Sequence, residues 1–184
     1  MPYRSDVVYC FDGSFDGLMC CVYECFLQKE LPCAVITECE TQNLLFDTKT
    51  IETNYEISKR AETAISSKIS FKALNFVKKG FMSCEKNKDL LIVKFLLLGF
   101  HYGKKIMSML TNDTVDQLSK AVMHVTREAH NYLGFVRFSS YNGFLYSTIE
   151  PKNQILPLIA PHFTQRFPNE NFVIFDKPHH TALC

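Results

Sequence analysis

Between Tyr55 and Leu110 the chain contains no proline and is rich in Ala, Leu, Lys, Glu and Ser, with interruptions only around Lys79-Gly80 and Ser83 to Asn87. This stretch constrains the fold more than any other, because good helix formers without breakers predict two or three consecutive helices. Leu90 to Leu110 is apolar almost all round. A helix of that kind belongs in the middle of a fold. Its most apolar part, Leu90 to Phe100, contains Lys94 and is well short of the about 20 apolar residues that span a bilayer. The first residues include Asp6, Asp12 and Asp16, where a secretory leader needs a cationic start and an unbroken apolar run. A cytoplasmic protein with no membrane partner is therefore expected.

Strands are expected on both sides of this helical middle. Val7 to Phe11 is a short run of β-branched and aromatic residues, followed by Asp12-Gly13-Ser14 and then an amphipathic stretch over residues 14–28, which reads as strand, tight turn, helix. Ala34 to Thr37 and Thr50 to Asn54 are further strand candidates. Asp113 to Leu133 has the clearest helical period, with Val115, Leu118, Val122, Val125, Ala129 and Leu133 in steps of three and four. Asp113 is the expected N-cap and Gly134 the expected stop. Phe135 to Ser139 and Phe144 to Ile149 flank an Asn142-Gly143 step, a hairpin signal. A helix over Gln154 to Arg166 lies between Pro151 and Pro168, and Phe172 to Asp176 reads as a last strand. The pattern predicts an α+β fold: a helical middle with a small antiparallel sheet that includes a C-terminal hairpin. One domain over residues 1–184 is expected, with units 1–85 and 86–184 as the alternative organisation. At 184 residues and 47% hydrophobic, folding hides roughly 70% of the chain's surface, so no staple is needed.

The eight cysteines, at 10, 20, 21, 25, 33, 39, 84 and 184, contain no CxxC pair. Helical spacing over residues 14–28 sets Leu18, Cys21, Val22, Cys25 and Phe26 on one stripe, which makes the two thiols small core hydrophobes. The competing reading is a zinc or iron-sulfur site of Cys10, Cys20, Cys25 and Cys33.

With 20 Lys and Arg against 19 Asp and Glu, the chain has a net charge of +1, which excludes a polybasic nucleic-acid coat. The charge is unevenly spread. Residues 1–60 carry 5 basic and 10 acidic side chains, and the remainder 15 and 9, so a polyanion would meet the later two thirds.

Asp12, Ser14 and Asp16 crowd a glycine-rich turn at a helix start, where backbone N–H groups favour an anion but two carboxylates oppose it. Glu128 and His130 suggest an acid/base pair, yet residues two apart on a helix diverge. His124 and Glu128, four apart, can meet. Glu150 ends a strand, and His162 and Arg166 share a helix face beside Phe163 and Phe167. Cations beside aromatic rings suit single-stranded nucleic acid, whereas the plainer reading is helix-end charge with the rings in the core. His179 and His180 read as an exposed tail.

The blocks EAHNYLGFVRF, LYSTIEP, ILPLIAPHFTQRFP and NFVIFDK, in that order, together with VVYCFDGSFDGLMCCVYECF near the start, resemble a bacterial family of DNA metabolism proteins. The likeness runs from Val7 to Lys177, and residues 40–85 match only in general character. Lys152-Asn153-Gln154 departs from the family, which often has acidic residues and a histidine there. The resemblance implies a partnership with a DNA repair or modification radical SAM protein, and some relatives carry a uracil-DNA-glycosylase-like domain. No cofactor is expected on this chain; the iron-sulfur cluster and S-adenosylmethionine belong to the partner. The leading expectation is an accessory protein that binds DNA through its C-terminal unit, with Arg137 and Arg166 on phosphate and His162 and Phe163 on a base or phosphate. The rival is a stand-alone enzyme acting on nucleic acid or a nucleotide, in which Asp12, Asp16, Glu128 and His130 form an acid-base site.

Overall fold

The computed structural model describes residues 3–4, 6–37 and 46–184; Cys39 lies outside them. The chain divides into two compact units, Met1–Phe81 with Glu85–Lys120, and Met82–Cys84 with Ala121–Cys184.

Unit 1 begins with β1 (Tyr3–Arg4), β2 (Val7–Phe11), α1 (Phe15–Gln28), β3 (Glu30–Leu31), β4 (Ala34–Thr37) and β5 (Asp47–Thr50). A three-stranded parallel sheet has the order β4-β2-β5, and β1 and β3 form a separate parallel pair. As the central strand, β2 buries Val8, Tyr9, Cys10 and Phe11 in succession, because a parallel strand covered on both faces needs an unbroken apolar run. The third strand precedes the expected Thr50 to Asn54. On α1, Leu18, Cys21, Val22 and Cys25 are buried as the stripe predicts, but Phe26 is 44% exposed and meets Phe100 edge-on at 4.7 Å.

The proline-free stretch forms α2 (Tyr55–Ala64), a π-helical turn (Ile65–Ile69), α3 (Phe71–Phe81), α4 (Lys88–Tyr102) and a 3-10 turn (Gly103–Ser108). Leu91, Ile92, Val93, Phe95, Leu96 and Gly99 of α4 are all buried. A Cβ on Gly99 would come within 2.6 Å of Ile69 Cδ1, so the glycine is what lets the π turn pack against α4. Gly103, at φ +61°, ends the helix well before Leu110.

Helix α5 (Asp113–Phe135) passes from one unit to the other between Lys120 and Ala121, and the chain also changes unit on either side of Met82–Cys84. Its cap is Asn112, not Asp113: the Asn112 side chain accepts from Thr114 N at 3.0 Å and Val115 N at 3.4 Å. Gly134 lies inside the last turn and does not stop the helix.

Unit 2 continues with β6 (Ser139–Tyr141), β7 (Phe144–Ile149), α6 (Leu156–Arg166), β8 (Asn171–Asp176) and β9 (Thr181–Leu183), in a sheet of order β6-β7-β8-β9. The hairpin between β6 and β7 turns on Asn142 and Gly143, both at positive φ, as a two-residue primed turn requires. The sheet is mixed, not antiparallel throughout. β7 and β8 pair in parallel, Leu145 opposite Phe172, because α6 returns the chain to the starting end of the sheet. One face of the sheet supplies Leu145, Ile149, Phe172, Ile174 and Leu183 to the core of unit 2, together with Ala129, Ile159 and Phe163 from the helices. The fold class is α+β. Among the described residues, no helix is long and apolar enough to cross a membrane.

Candidate nucleic-acid interface

The predicted site residues fall into two groups, one in each unit. In unit 1, Gly13 takes φ +79°, so the chain can leave β2 and enter α1 in a tight turn. Ser14 caps α1 by accepting from Gly17 N at 2.9 Å. The Asp12 carboxylate accepts from Ser14 N at 2.9 Å and from Thr53 Oγ1 at 2.8 Å. Burial raises its pKa, but the bonds from Ser14 and Thr53 outweigh that effect and hold it below the usual carboxylate value. Asp16 accepts from the buried Ser58 hydroxyl of α2. A Cβ on Gly17 would approach Thr53 Oγ1 to 2.8 Å as well as Asp12, so the second glycine of the motif makes room for this network. The turn is therefore a joint between the α1 and α2 starts. A cavity of about 650 Å³ opens elsewhere in unit 1, between β4 and the start of α4. Neither Asp12 nor Asp16 lines it.

The cysteines are also accounted for locally. Cys20 Sγ donates to Asn54 O at 3.4 Å and accepts from Asn54 N at 3.3 Å, and Cys33 Sγ donates to Val7 O at 3.4 Å. Among the described residues, no group of three or more His, Cys, Asp or Glu is placed to hold a metal ion, so Cys10, Cys20, Cys25 and Cys33 do not assemble the metal site considered above.

In unit 2, the Glu128 carboxylate is fully engaged. It accepts from Lys152 N at 2.9 Å, Asn153 N at 2.9 Å and Asn153 Nδ2 at 2.6 Å. Asn153 is 5% exposed, and its Oδ1 accepts in turn from Cys84 N at 2.9 Å, while Gln154 N donates to Met82 O. Glu128 thus anchors the segment between β7 and α6, and that segment holds Met82–Cys84 in unit 2. His130 is exposed on α5, two residues along and away from this network. No hydrogen bond or ion pair joins His124 to Glu128 among the described residues.

Arg137 and Arg166 meet at one place. Helices α5 and α6 end side by side, and a cavity of about 300 Å³ between their ends is lined by Gly134, Arg137, Phe138, Phe163, Arg166 and Phe167, among others. Phe138 packs edge-on against Phe163 at 5.7 Å and Phe167 at 5.1 Å, which gives the cavity a rigid aromatic floor. Arg166 lies over the Phe167 ring at 5.6 Å, and Arg137 Nη1 donates to Gly134 O at 3.1 Å. A carbonyl at the end of α5 thus takes up part of the Arg137 charge. Neither guanidinium has a carboxylate partner among the described residues. His162 is exposed and edge-on to Phe163. Phe163 itself is 2% exposed, so its ring is core and cannot stack on a base.

A family model described as a domain of unknown function, DUF4130, matches residues 86–184, more than half of the chain. The chain belongs to the DUF4130 family. The DUF4130 match contains Glu128, His130, Arg137, Glu150, His162, Phe163 and Arg166 and leaves out Asp12, Ser14 and Asp16. No curated protein and no solved structure matches the chain.

The DUF4130 region holds two further features that the sequence reading misses. Asn153 is one. The other is a pair at the end of β8, where the Asp176 carboxylate, 1% exposed, binds His179 Nδ1 at 2.8 Å and accepts from His179 N at 3.3 Å. His179 is therefore pinned by a buried carboxylate and is not part of an exposed tail; His180 is exposed. The only sequence signal for this pair is the Asp-x-x-His spacing across a proline turn. Beside it, Glu150 pairs with Lys177 at 2.9 Å, which raises the lysine pKa through the hydrogen bond and the opposite charge.

Proposed function

We propose that this DUF4130 protein is a cytoplasmic accessory factor of DNA repair or modification that works with a radical SAM partner and binds nucleic acid through unit 2. One observation carries the reading: Arg137 and Arg166, distant in sequence, line one cavity with an aromatic floor and no carboxylate to neutralise them among the described residues. Two guanidiniums on a stiff support form a ready phosphate clamp, since each keeps a planar set of donors. Surplus positive charge in the later two thirds of the chain supports the same polarity. The likeness of the EAHNYLGFVRF and ILPLIAPHFTQRFP blocks to DNA metabolism proteins supports the genomic context. The rival enzyme reading has less support, because Asp12, Asp16 and Glu128 are each held by local hydrogen bonds.

The test is fluorescence anisotropy with short single-stranded and duplex DNA between about 50 and 200 mM salt. Wild type should bind with an affinity that falls steeply with salt. Arg166→Ala should bind more weakly, with a slope of log affinity against log salt shallower by about one. An absence of binding to both DNA forms would overturn the reading.

A further inference from the structure

Resting on that nucleic-acid reading, we propose that the arginine cavity of unit 2 takes a phosphate monoester, the terminal phosphate of a nucleotide unit, in preference to the internal phosphodiesters of a passing strand. Charge points there first. Leu133, Val136, Phe138 and Phe163 give the cavity apolar walls, and Arg137 and Arg166 are its only charged lining residues. Neither makes an ion pair among the described residues. Beside apolar walls two positive charges attract an anion more strongly than they would in open water. An internal phosphodiester brings one negative charge, whereas a terminal phosphate brings about −1.5 to −2 near pH 7, with three strong acceptor oxygens. The monoester therefore matches both guanidiniums in charge and offers each planar fork its own pair of acceptors.

Shape points the same way. Phe138 stands edge-on to Phe163 and Phe167, and Phe163 is 2% exposed, so the floor is closed and no chain threads through it. A groove that tracks a strand serves about four or more nucleotides per site. The cavity of about 300 Å³ is the share of roughly ten liquid waters, room for one phosphate with its sugar. A blind cavity of this size receives the end of a chain or a single nucleotide. One effect opposes an anion here, because α5 and α6 both finish at the cavity and helix C-termini are negative. The two arginines answer it. Arg137 Nη1 covers the Gly134 carbonyl of α5 at 3.1 Å, and Arg166 occupies the last turn of α6. Seated over the Phe167 ring at 5.6 Å, Arg166 is positioned without using its N–H donors.

The experiment uses the full chain and oligo-dT of one length, labelled with fluorescein within the strand, in three forms: 5′-phosphate, 3′-phosphate and hydroxyl at both ends. Anisotropy reads strand binding, and melting temperatures with dTMP and with thymidine read the free nucleotide. Wild type should bind one phosphorylated end roughly tenfold or more tightly than the hydroxyl strand, and dTMP should raise the melting temperature where thymidine does not. Arg137→Ala and Arg166→Ala should each remove most of the end preference. Arg166→Lys, which keeps the charge and loses the fork, should remove part of it. Both side chains are exposed, so these substitutions spare the core. Equal affinity for all three strands, weakened throughout by Arg166→Ala, would overturn the monoester assignment and leave the clamp on internal phosphates. Stabilisation by dTMP with no strand bound would keep the monoester, name a free nucleotide as its source and overturn the nucleic-acid reading. Binding of no strand and no effect of dTMP would overturn both.

Discussion

Replacing Asn153 by alanine tests whether Glu128 is an anchor or a reacting group. The substitution removes two hydrogen bonds: Nδ2 to Glu128 Oε2 at 2.6 Å and Cys84 N to Oδ1 at 2.9 Å. The first involves a carboxylate and is short, so its loss costs about 1.5–3 kcal/mol. The second is neutral, and because Cys84 is exposed its freed N–H can turn to water, for a loss of about 0.5–1 kcal/mol. Together these give roughly 2–4 kcal/mol, a large part of the about 5–15 kcal/mol that holds a typical domain together. Equilibrium urea unfolding followed by circular dichroism measures the change, and Glu128→Ala with the double variant completes a cycle whose coupling should be about 1–3 kcal/mol. Stability within about 0.5 kcal/mol of wild type for Asn153→Ala, or no coupling in the cycle, would refute the anchoring role. Glu128 would then return as a candidate acid-base group.

Three other outcomes follow from local geometry. Gly17→Ala should destabilise unit 1 by about 1–3 kcal/mol through overpacking against Thr53, Asp12 and Phe11, and an unchanged urea midpoint would contradict this. The folded state holds the Asp12 pKa below the ordinary carboxylate value, so its contribution to stability is complete above that ordinary value and is lost as pH falls through the lower folded one; Asp12→Asn should flatten this acid loss in a pH series of melting temperatures. Burial raises the Cys25 thiol to about 12 and raises Cys21 further, so mass spectrometry after brief iodoacetamide treatment at neutral pH should find Cys84 and Cys184 modified and Cys21 and Cys25 intact until the chain is unfolded.

Strands β2, β4 and β7 are legible residue for residue, because each is a run of β-branched or aromatic side chains bounded by strong turn formers. Strand β5 is less so, since Asp47–Thr50 reads DTKT, a polar segment at the edge of a sheet. β1, β3 and β9 span two or three residues, too few for any period to show. The parallel pairing of β7 with β8 is equally hidden. It depends on α6 docking back across the sheet, a tertiary event that leaves no mark on either strand. Helix α5 shows the complementary case, with a period that specifies its buried stripe well but its ends poorly. Asn112 outcompetes Asp113 as cap, and Gly134, where an added Cβ would meet nothing within 4 Å, has no turn to serve.

The candidate site divides along the same line between local and long-range information. Arg166 beside Phe167 is visible as a neighbour pair, and the cation-π contact follows from it. Its meeting with Arg137 is not visible, because a hairpin and a whole helix intervene and only the cavity at the two helix ends joins them. Phe163 is misplaced by the same sequence view: two aromatics four apart look equivalent, yet Phe163 is fully buried in the core of unit 2 while Phe167, at the end of α6, is only partly buried against it. Tyr146 is the reverse case, an ordinary strand aromatic in sequence whose exposure depends on the core lying wholly on the other face of the sheet. An outward aromatic row and an inward aromatic floor arise from one alternating pattern. Which rings can touch a ligand is decided by the side of the sheet that α5 and α6 cover.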